Sequence, residues 1–286
     1  MNVTGPITNT VTGGVSVRNG FVRLAGGGNY TTLNINQGTT SLGASNGIST
    51  NATVVMSASD PATLDLNGFN QILQGIQDGA TFSEMVTNST ATPDTLTFDL
   101  TSGYTYSGEL GGDLALVVNG TGSLYLAGTN TSAYTGNTTV NGGTLELAAP
   151  ALSPYSTVAV ASGAFLQLDF SVTNTVSGLT LNGVKQPLGL YNGTTSPNYI
   201  TGSGSLQVAV TVATNPVPIA ATVSGNTLSL SWPADHLTWI LQSQTNSVGT
   251  GLANNWVDVA GSGSSTSATI TINPTNAAVF YRLRQP

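Results

Sequence analysis

Gly43-Ala44-Ser45-Asn46-Gly47 has the spacing of a nucleophile elbow, in which a serine stands on a tight strand-to-helix turn. That chemistry needs a base, and the chain's single histidine, His236, lies far away in Pro233-Ala234-Asp235-His236. No helical pattern follows Gly47, and in a chain with 35 glycines such a pentapeptide arises by chance. His236 is expected in a surface turn between strands, without the partners that a metal or catalytic role requires.

Carboxylates are the other candidates. Asp60, Asp65, Asp78, Glu84, Asp94, Asp99, Glu109, Asp113, Glu146 and Asp169 are scattered singly. Stacked coils can bring two such groups together as the acid and base of a polysaccharide-cleaving site. The bases that would complete one are few in this stretch: Arg18, Arg23 and Lys185. No Gly-Gly-x-Gly-x-Asp repeat, EF-hand loop or His-Glu-x-x-His motif occurs. The acids are expected as isolated groups on a solvated face. No catalytic, cofactor-binding or metal-binding residue is assigned, no cofactor is expected, and the chain is not expected to be an enzyme.

Asn-x-Ser/Thr triplets begin at Asn2, Asn29, Asn51, Asn88, Asn119, Asn130, Asn137 and Asn192. Composition alone gives roughly six or seven, so they are no sign of glycosylation. Tyr104, Tyr106, Tyr125, Tyr134, Tyr155, Tyr191 and Tyr199 would stack on sugars if aligned on one face; corner packing accounts equally well for Tyr30 and Tyr134.

The elements that must carry these residues are short strands. Leu64-Asp65-Leu66, Leu114-Ala115-Leu116-Val117-Val118, Leu124-Tyr125-Leu126, Thr144-Leu145-Glu146-Leu147, Val158-Ala159-Val160, Leu166-Gln167-Leu168, Leu179-Thr180-Leu181 and Leu206 to Val212 alternate apolar and polar residues. No 3.6-residue period is sustained, so helix content should be near zero. The runs recur about every ten residues. That favours a solenoid of about 20 residues per coil, on the order of ten coils and about 50 Å, over a hairpin sandwich. Gly and Asn are expected at the corners, where positive φ is required.

An internal repeat points the same way. Residues Asn29 to Leu42 recur as Tyr134 to Leu147, Thr53-Val54-Val55-Met56 as Thr157-Val158-Ala159-Val160, and Leu64-Asp65-Leu66 as Leu166-Gln167-Leu168. Gly122-Ser123-Leu124-Tyr125-Leu126-Ala127-Gly128-Thr129-Asn130, followed by Tyr134-Thr135-Gly136-Asn137-Thr138-Thr139-Val140-Asn141-Gly142-Gly143-Thr144-Leu145-Glu146-Leu147, resembles the autotransporter-associated β-strand repeat. The resemblance covers about residues 22–212 and is strongest near 120–150. It implies a right-handed parallel β-helix, export, and a scaffold or adhesin role without chemistry. No C-terminal membrane barrel follows, which departs from autotransporters proper.

Composition narrows the partners. Hydrophobic residues make up 39% and charged residues only 6%, with 12 acids against 5 bases and a net charge of −7. An ordinary soluble domain carries roughly 25% charged residues. Such a surface has no basic patch for nucleic acid or anionic membrane. There is no cysteine, hence neither disulfides nor thiolate metal sites. No apolar run approaches the ~20 residues of a membrane span. Met1-Asn2-Val3-Thr4 has no leader character, so an exported protein would carry its leader outside this numbering.

The pattern changes after Ala213-Thr214-Asn215-Pro216-Val217-Pro218, an extended linker. Five strand candidates follow: Thr227–Pro233, Trp239–Ser243, Trp256–Val259, Thr269–Ile272 and Phe280–Leu283, with all three tryptophans. They predict a small β-sandwich. The Ser-Trp-Pro and terminal Phe-Tyr-Arg-Leu segments resemble a fibronectin-type-III-related module at the C-termini of secreted bacterial repeat proteins, which implies a sorting or end-cap role. The expected organisation is a parallel β-helix over 1–212, a linker over 213–218 and a β-sandwich over 219–286. The expected function is that of an extracellular or cell-surface structural protein. It would polymerise head to tail through the coil Gly14–Leu24, with Val15, Val17, Val22 and Leu24 inward, and surface glycans are possible partners. The alternative is a carbohydrate-binding or polysaccharide-degrading β-helix.

Overall fold

The computed structural model describes residues 1–3, 5, 14–56, 60–79, 84–128, 134–209 and 215–285. Half of the chain, 50%, is strand and 2% is helix, the latter two short 3-10 turns. Two compact units divide it, Met1–Val210 and Thr211–Pro286.

The first unit is a β-solenoid of about seven turns. Its strands pair in parallel with strands one coil away, so inward side chains pile into columns. Leu73, Phe98, Val118, Val140, Val160 and Leu181 form one such column, each in register with the next. Leu124, Leu145, Leu166 and Ile200 form another, and Val22, Thr40, Leu64, Val86 and Leu110 a third. Strict alternation does this, since period-2 side chains reach opposite faces of the pleat. Burying each Leu, Ile, Val or Phe contributes about 1.5–3 kcal/mol against exposure. Outward positions are mostly polar: Asp99, Asn119 and Asn141 form a hydrogen-bonded ladder, Asn119 Nδ2 donating to Asp99 Oδ1 at 2.8 Å and Asn141 Nδ2 to Asn119 Oδ1 at 2.9 Å.

Polar groups inside the stack are matched locally. The buried Gln71 amide accepts from Ile48 N at 3.0 Å and donates to Ile48 O at 3.1 Å. Asn174 does the same with Leu152, at 3.0 and 2.8 Å. Each amide replaces a peptide group and closes a corner whose backbone would otherwise be orphaned. Both clamps, and the buried Tyr30 and Tyr134, recur at the spacing of the internal repeat. The corners use the residues expected there: three of the four described non-glycine residues with positive φ are Asn46, Asn67 and Asn182.

The structure differs from expectation in three places. The solenoid has about seven turns rather than ten. Its last coil is enlarged, since Leu145 is followed in register by Leu166, but the next residue in that column is Ile200. The inserted segment opens on a two-residue Asn182-Gly183 hairpin, both at positive φ, and sends Val184–Lys185 and Gly189–Asn192 back antiparallel against Gly178–Leu181 and Ser205–Val208. At the other end Gly14–Leu24 is not the outermost strand segment throughout, because Asn2–Val3 pairs over Phe21–Leu24. Two residues carry no readable period, so this strand was invisible in the sequence. The side chains named as inward do face the core there: Val17 and Leu24 are buried, Val15 and Val22 half-buried.

The second unit holds two three-stranded antiparallel sheets, one of Ala220–Ser224, Thr227–Ser231 and Ser267–Thr271, the other of Ile240–Asn246, Val257–Asp258 and Ala278–Arg284. Leu228, Leu230 and Ile270 from the first meet Leu241, Tyr281 and Leu283 from the second around Trp232. Of the three tryptophans only Trp232 belongs to this core. Trp239 is buried against His236, and Trp256 sits half-buried with the Arg282 guanidinium 4.3 Å from its ring centroid. The segment read as a linker begins outside the described residues, and its Val217 packs on the second core.

Candidate functional site

The stacking brings the carboxyl groups of Glu146 and Asp169 near one another. Glu146 lies on Thr144–Leu147, between Tyr125 of Ser123–Leu126 and Gln167 of Phe165–Leu168, all outward in one register column. Asp169, just past Gln167, accepts from Gln167 Nε2 at 2.9 Å. Partial burial pushes the Glu146 carboxyl up to about 7, and hydrogen bonding and charge repulsion with Asp169 act in the same direction. The nearby Asp169 thus favours the protonated form of Glu146. Phe165 flanks them, in a shallow cleft with Thr144 and the glycine corners Gly120, Gly142 and Gly143. Sequence reading listed both acids without pairing them; the signal was their separation of one coil plus two residues.

Two acids are not on the solvated face where they were expected. Glu84 and Asp94 are buried, at 1% and 2% exposure. Neither Asp94 carboxyl oxygen has a hydrogen-bond partner. The nearby Gly68 N–H donates to Asn88 Oδ1 at 3.1 Å instead, and Asn88 gives its own amide protons to Thr92 O and Asp113 O. Burial raises Asp94 to about 7 against the pull of Gly68, and Asp113 and Asp65 raise it further. Asp94 is thus a neutral carboxylic acid below pH 7. Asp65 and Asp78 are corner-holding residues: Asp65 accepts from Asn67 N, Ser89 N and Ser89 Oγ, and Asp78 from Ser107 N, Ser107 Oγ and Gly108 N. Among the described residues no three His, Asp or Glu side chains gather as metal ligands would.

His236 also corrects an expectation. It is fully buried rather than on the surface. Its Nδ1 lies 2.7 Å from Asp235 Oδ1 and its Nε2 lies 2.7 Å from the Asn215 carbonyl oxygen. Both neighbours are acceptors, so both ring nitrogens are best served by carrying protons. Burial lowers the imidazole pKa, but the Asn215 carbonyl and Asp235 outweigh it and the net shift is upward. A raised folded-state value adds stability that is full below the unfolded pKa and is lost as pH rises through the folded one. The ring of Trp239 is 4.8 Å away. We therefore expect Trp239 fluorescence to change with a midpoint above 6.5, and the second unit to lose stability across that transition. His236→Gln should abolish the fluorescence transition; a midpoint at or below 6.5 would contradict the geometry.

The remaining motifs are structural. Ser45 sits in an exposed corner with no helix after it, and the neighbouring Asn46 Oδ1 accepts from Ile72 N at 3.0 Å. Tyr106 and Tyr134 are core residues, leaving Tyr125 without an aligned tyrosine row. Among the Asn-x-Ser/Thr asparagines, Asn88 is buried, and Asn119, Asn137 and Asn192 are hydrogen-bonded at corners or in the ladder. Asn130 lies outside the described residues.

These features define a nearly all-β protein built on a parallel β-solenoid. Comparison with protein-family models, with curated proteins and with solved structures finds no match. No helix among the described residues is long and apolar enough to cross a membrane.

Proposed function

We propose that the chain is a non-catalytic, extracellular structural protein of bacterial origin, a secreted or surface fibre subunit or adhesive scaffold. In this reading the solenoid is of the autotransporter-associated type, and the second unit is a fibronectin-III-like module. The observation that carries it is the outer surface of the solenoid, where hydroxyl and amide side chains prevail and stack coil on coil, as in the ladder of Asp99, Asn119 and Asn141. Low charge removes repulsion between neighbouring copies.

Self-association follows from the sheet edges. Val15–Val17 pairs on one side only among the described residues, as does Asn2–Val3. The far end is guarded differently. Lys185, the only lysine in the chain, sits on the reversed strand Val184–Lys185, with Pro187 just beyond. Lysine, proline and reversed strands are the usual means of blunting an edge. The parallel strand Ile200–Gly202 remains open on one side there, and is the acceptor for a second copy's N-terminal edge. Concentrated protein examined by electron microscopy should show end-to-end polymers, and Ser16→Lys on the exposed face of Val15–Val17 should disperse them. Monomers alone at high concentration would refute the assembly.

A second reading, a saccharide-binding solenoid, is favoured by the uncharged clefts of the enlarged last coil.

A further inference from the structure

We propose that the insertion in the last coil forms a binding site for a neutral oligosaccharide; this rests on the saccharide-binding reading and names its site. Insertions in repeat solenoids fall on one side of the stack and commonly serve binding. Here the inserted segment stands up as a lobe whose crest, Asn192–Pro197, is held by its own hydrogen bonds. Thr194 N and Thr195 N donate to Asn192 Oδ1 at 2.9 and 3.1 Å, Asn192 N donates to Thr195 Oγ1 at 2.9 Å, and Ser196 N to Asn192 O at 2.9 Å. A cleft lies on each side of this preformed crest, about 360 Å³ and 490 Å³ in volume. Both are on the scale of small-ligand sites, roughly 300–1,000 Å³.

The lining selects the ligand class. No acid or base lines either cleft, which disfavours phosphates, uronates and metal ions. The smaller cleft presents Asn182, Gln186, Ser196, Pro197, Asn198 and Tyr199. Among the described residues the side-chain amides of Asn182 and Asn198, and the Tyr199 hydroxyl, make no hydrogen bond, so each keeps its capacity for a ligand. Gln186 Nε2 is engaged by Val184 O at 2.8 Å, which fixes the side chain and leaves its oxygen as an acceptor. Amides that both donate and accept match vicinal hydroxyls, and the partly buried Tyr199 ring with Pro197 and Val184 offers apolar surface for the C–H face of a pyranose. The edge strand beside this cleft, Val184–Lys185, is only two residues long, too short to seat a peptide strand.

The test uses the full chain and four probes: maltotetraose, cellotetraose, mannotetraose and xylotetraose, each titrated to about 10 mM by saturation-transfer NMR. Three substitutions remove the proposed contacts while sparing the fold. Asn182→Gly suits the positive φ, Asn198→Ala is exposed, and Tyr199→Phe keeps the packed ring. At least one probe should bind, and the combined variant should weaken it about tenfold or more with an unchanged melting temperature, as expected for losing hydrogen bonds of about 1 kcal/mol each. Binding that the variant leaves intact would overturn this assignment while sparing saccharide binding elsewhere on the solenoid. No binding of any probe would overturn both.

Discussion

Gly120→Ala should destabilise the solenoid by about 3 kcal/mol or more, whereas Gly163→Ala should cost only about 1–2 kcal/mol. Both glycines hold the left-handed conformation, at φ +88 and +78, so a side chain pays the same local strain at either. They differ in what lies beside them. A Cβ on Gly120 would sit on the Leu100 carbonyl oxygen of the preceding coil, the same oxygen that accepts from Thr121 N and Gly122 N at 2.9 and 3.1 Å. A Cβ on Gly163 meets nothing within 4 Å. The difference between the two variants therefore isolates the close approach of one coil to the next. For a unit of this size it corresponds to a melting shift of roughly 2–4 °C per kcal/mol, readable by calorimetry. Equal losses at the two positions would mean that the coils do not meet at that corner.

The second large effect concerns Asp94. Its folded-state pKa of about 7 stands above the ordinary value of 3.8, so the native chain holds this proton more tightly than the unfolded chain does. The sign follows: stability associated with Asp94 is full below the unfolded value and is lost as pH rises through the folded value. Between the two lies a shift worth at most on the order of 4 kcal/mol, less where the surroundings relax. Asp94→Asn preserves the shape of the neutral acid and cannot ionise. Its amide would also place a donor in the negative field of Asp65 and Asp113. Denaturant unfolding should show the variant equal to the native chain near pH 4 and more stable by a few kcal/mol at pH 8. Parallel pH profiles would show that Asp94 ionises freely in the folded state.

What the sequence revealed and what it hid follow from the range of the interactions involved. Period-2 alternation is local and strong, so runs such as Leu114–Gly120 and Thr157–Val160 announced their strands and their buried faces. Asparagine at positive φ was legible for the same reason. The repeat made Tyr30 and Tyr134 recognisable as equivalent packing residues. Pairings across coils were not legible, because each coil has its own length: Phe21 meets Thr39, yet Gly38 meets Ala62. Without the register, Glu146 and Asp169 remained two isolated acids. Burial of polar residues was hidden too. Asp94 begins a strand in an inward register and His236 is claimed by the Asn215 carbonyl, two strands back along the chain, and neither residue type signals such burial. The lobe was missed since Val184–Lys185 is too short to show a period, although Asn182-Gly183 was a readable hairpin turn.

The central claim is that successive coils stack in parallel register around one apolar column. The chain has no cysteine, so two can be introduced without interference. Thr97, Val117, Thr139, Ala159 and Thr180 occupy one outward column, each paired with the next. Spin labels at Thr97→Cys and Thr180→Cys are then four rungs apart, about 19 Å at ~4.8 Å per rung. Double electron–electron resonance should give a narrow distribution centred near that distance. A broad distribution, or one centred beyond about 30 Å, would contradict the stacked solenoid and the scaffold role built on it.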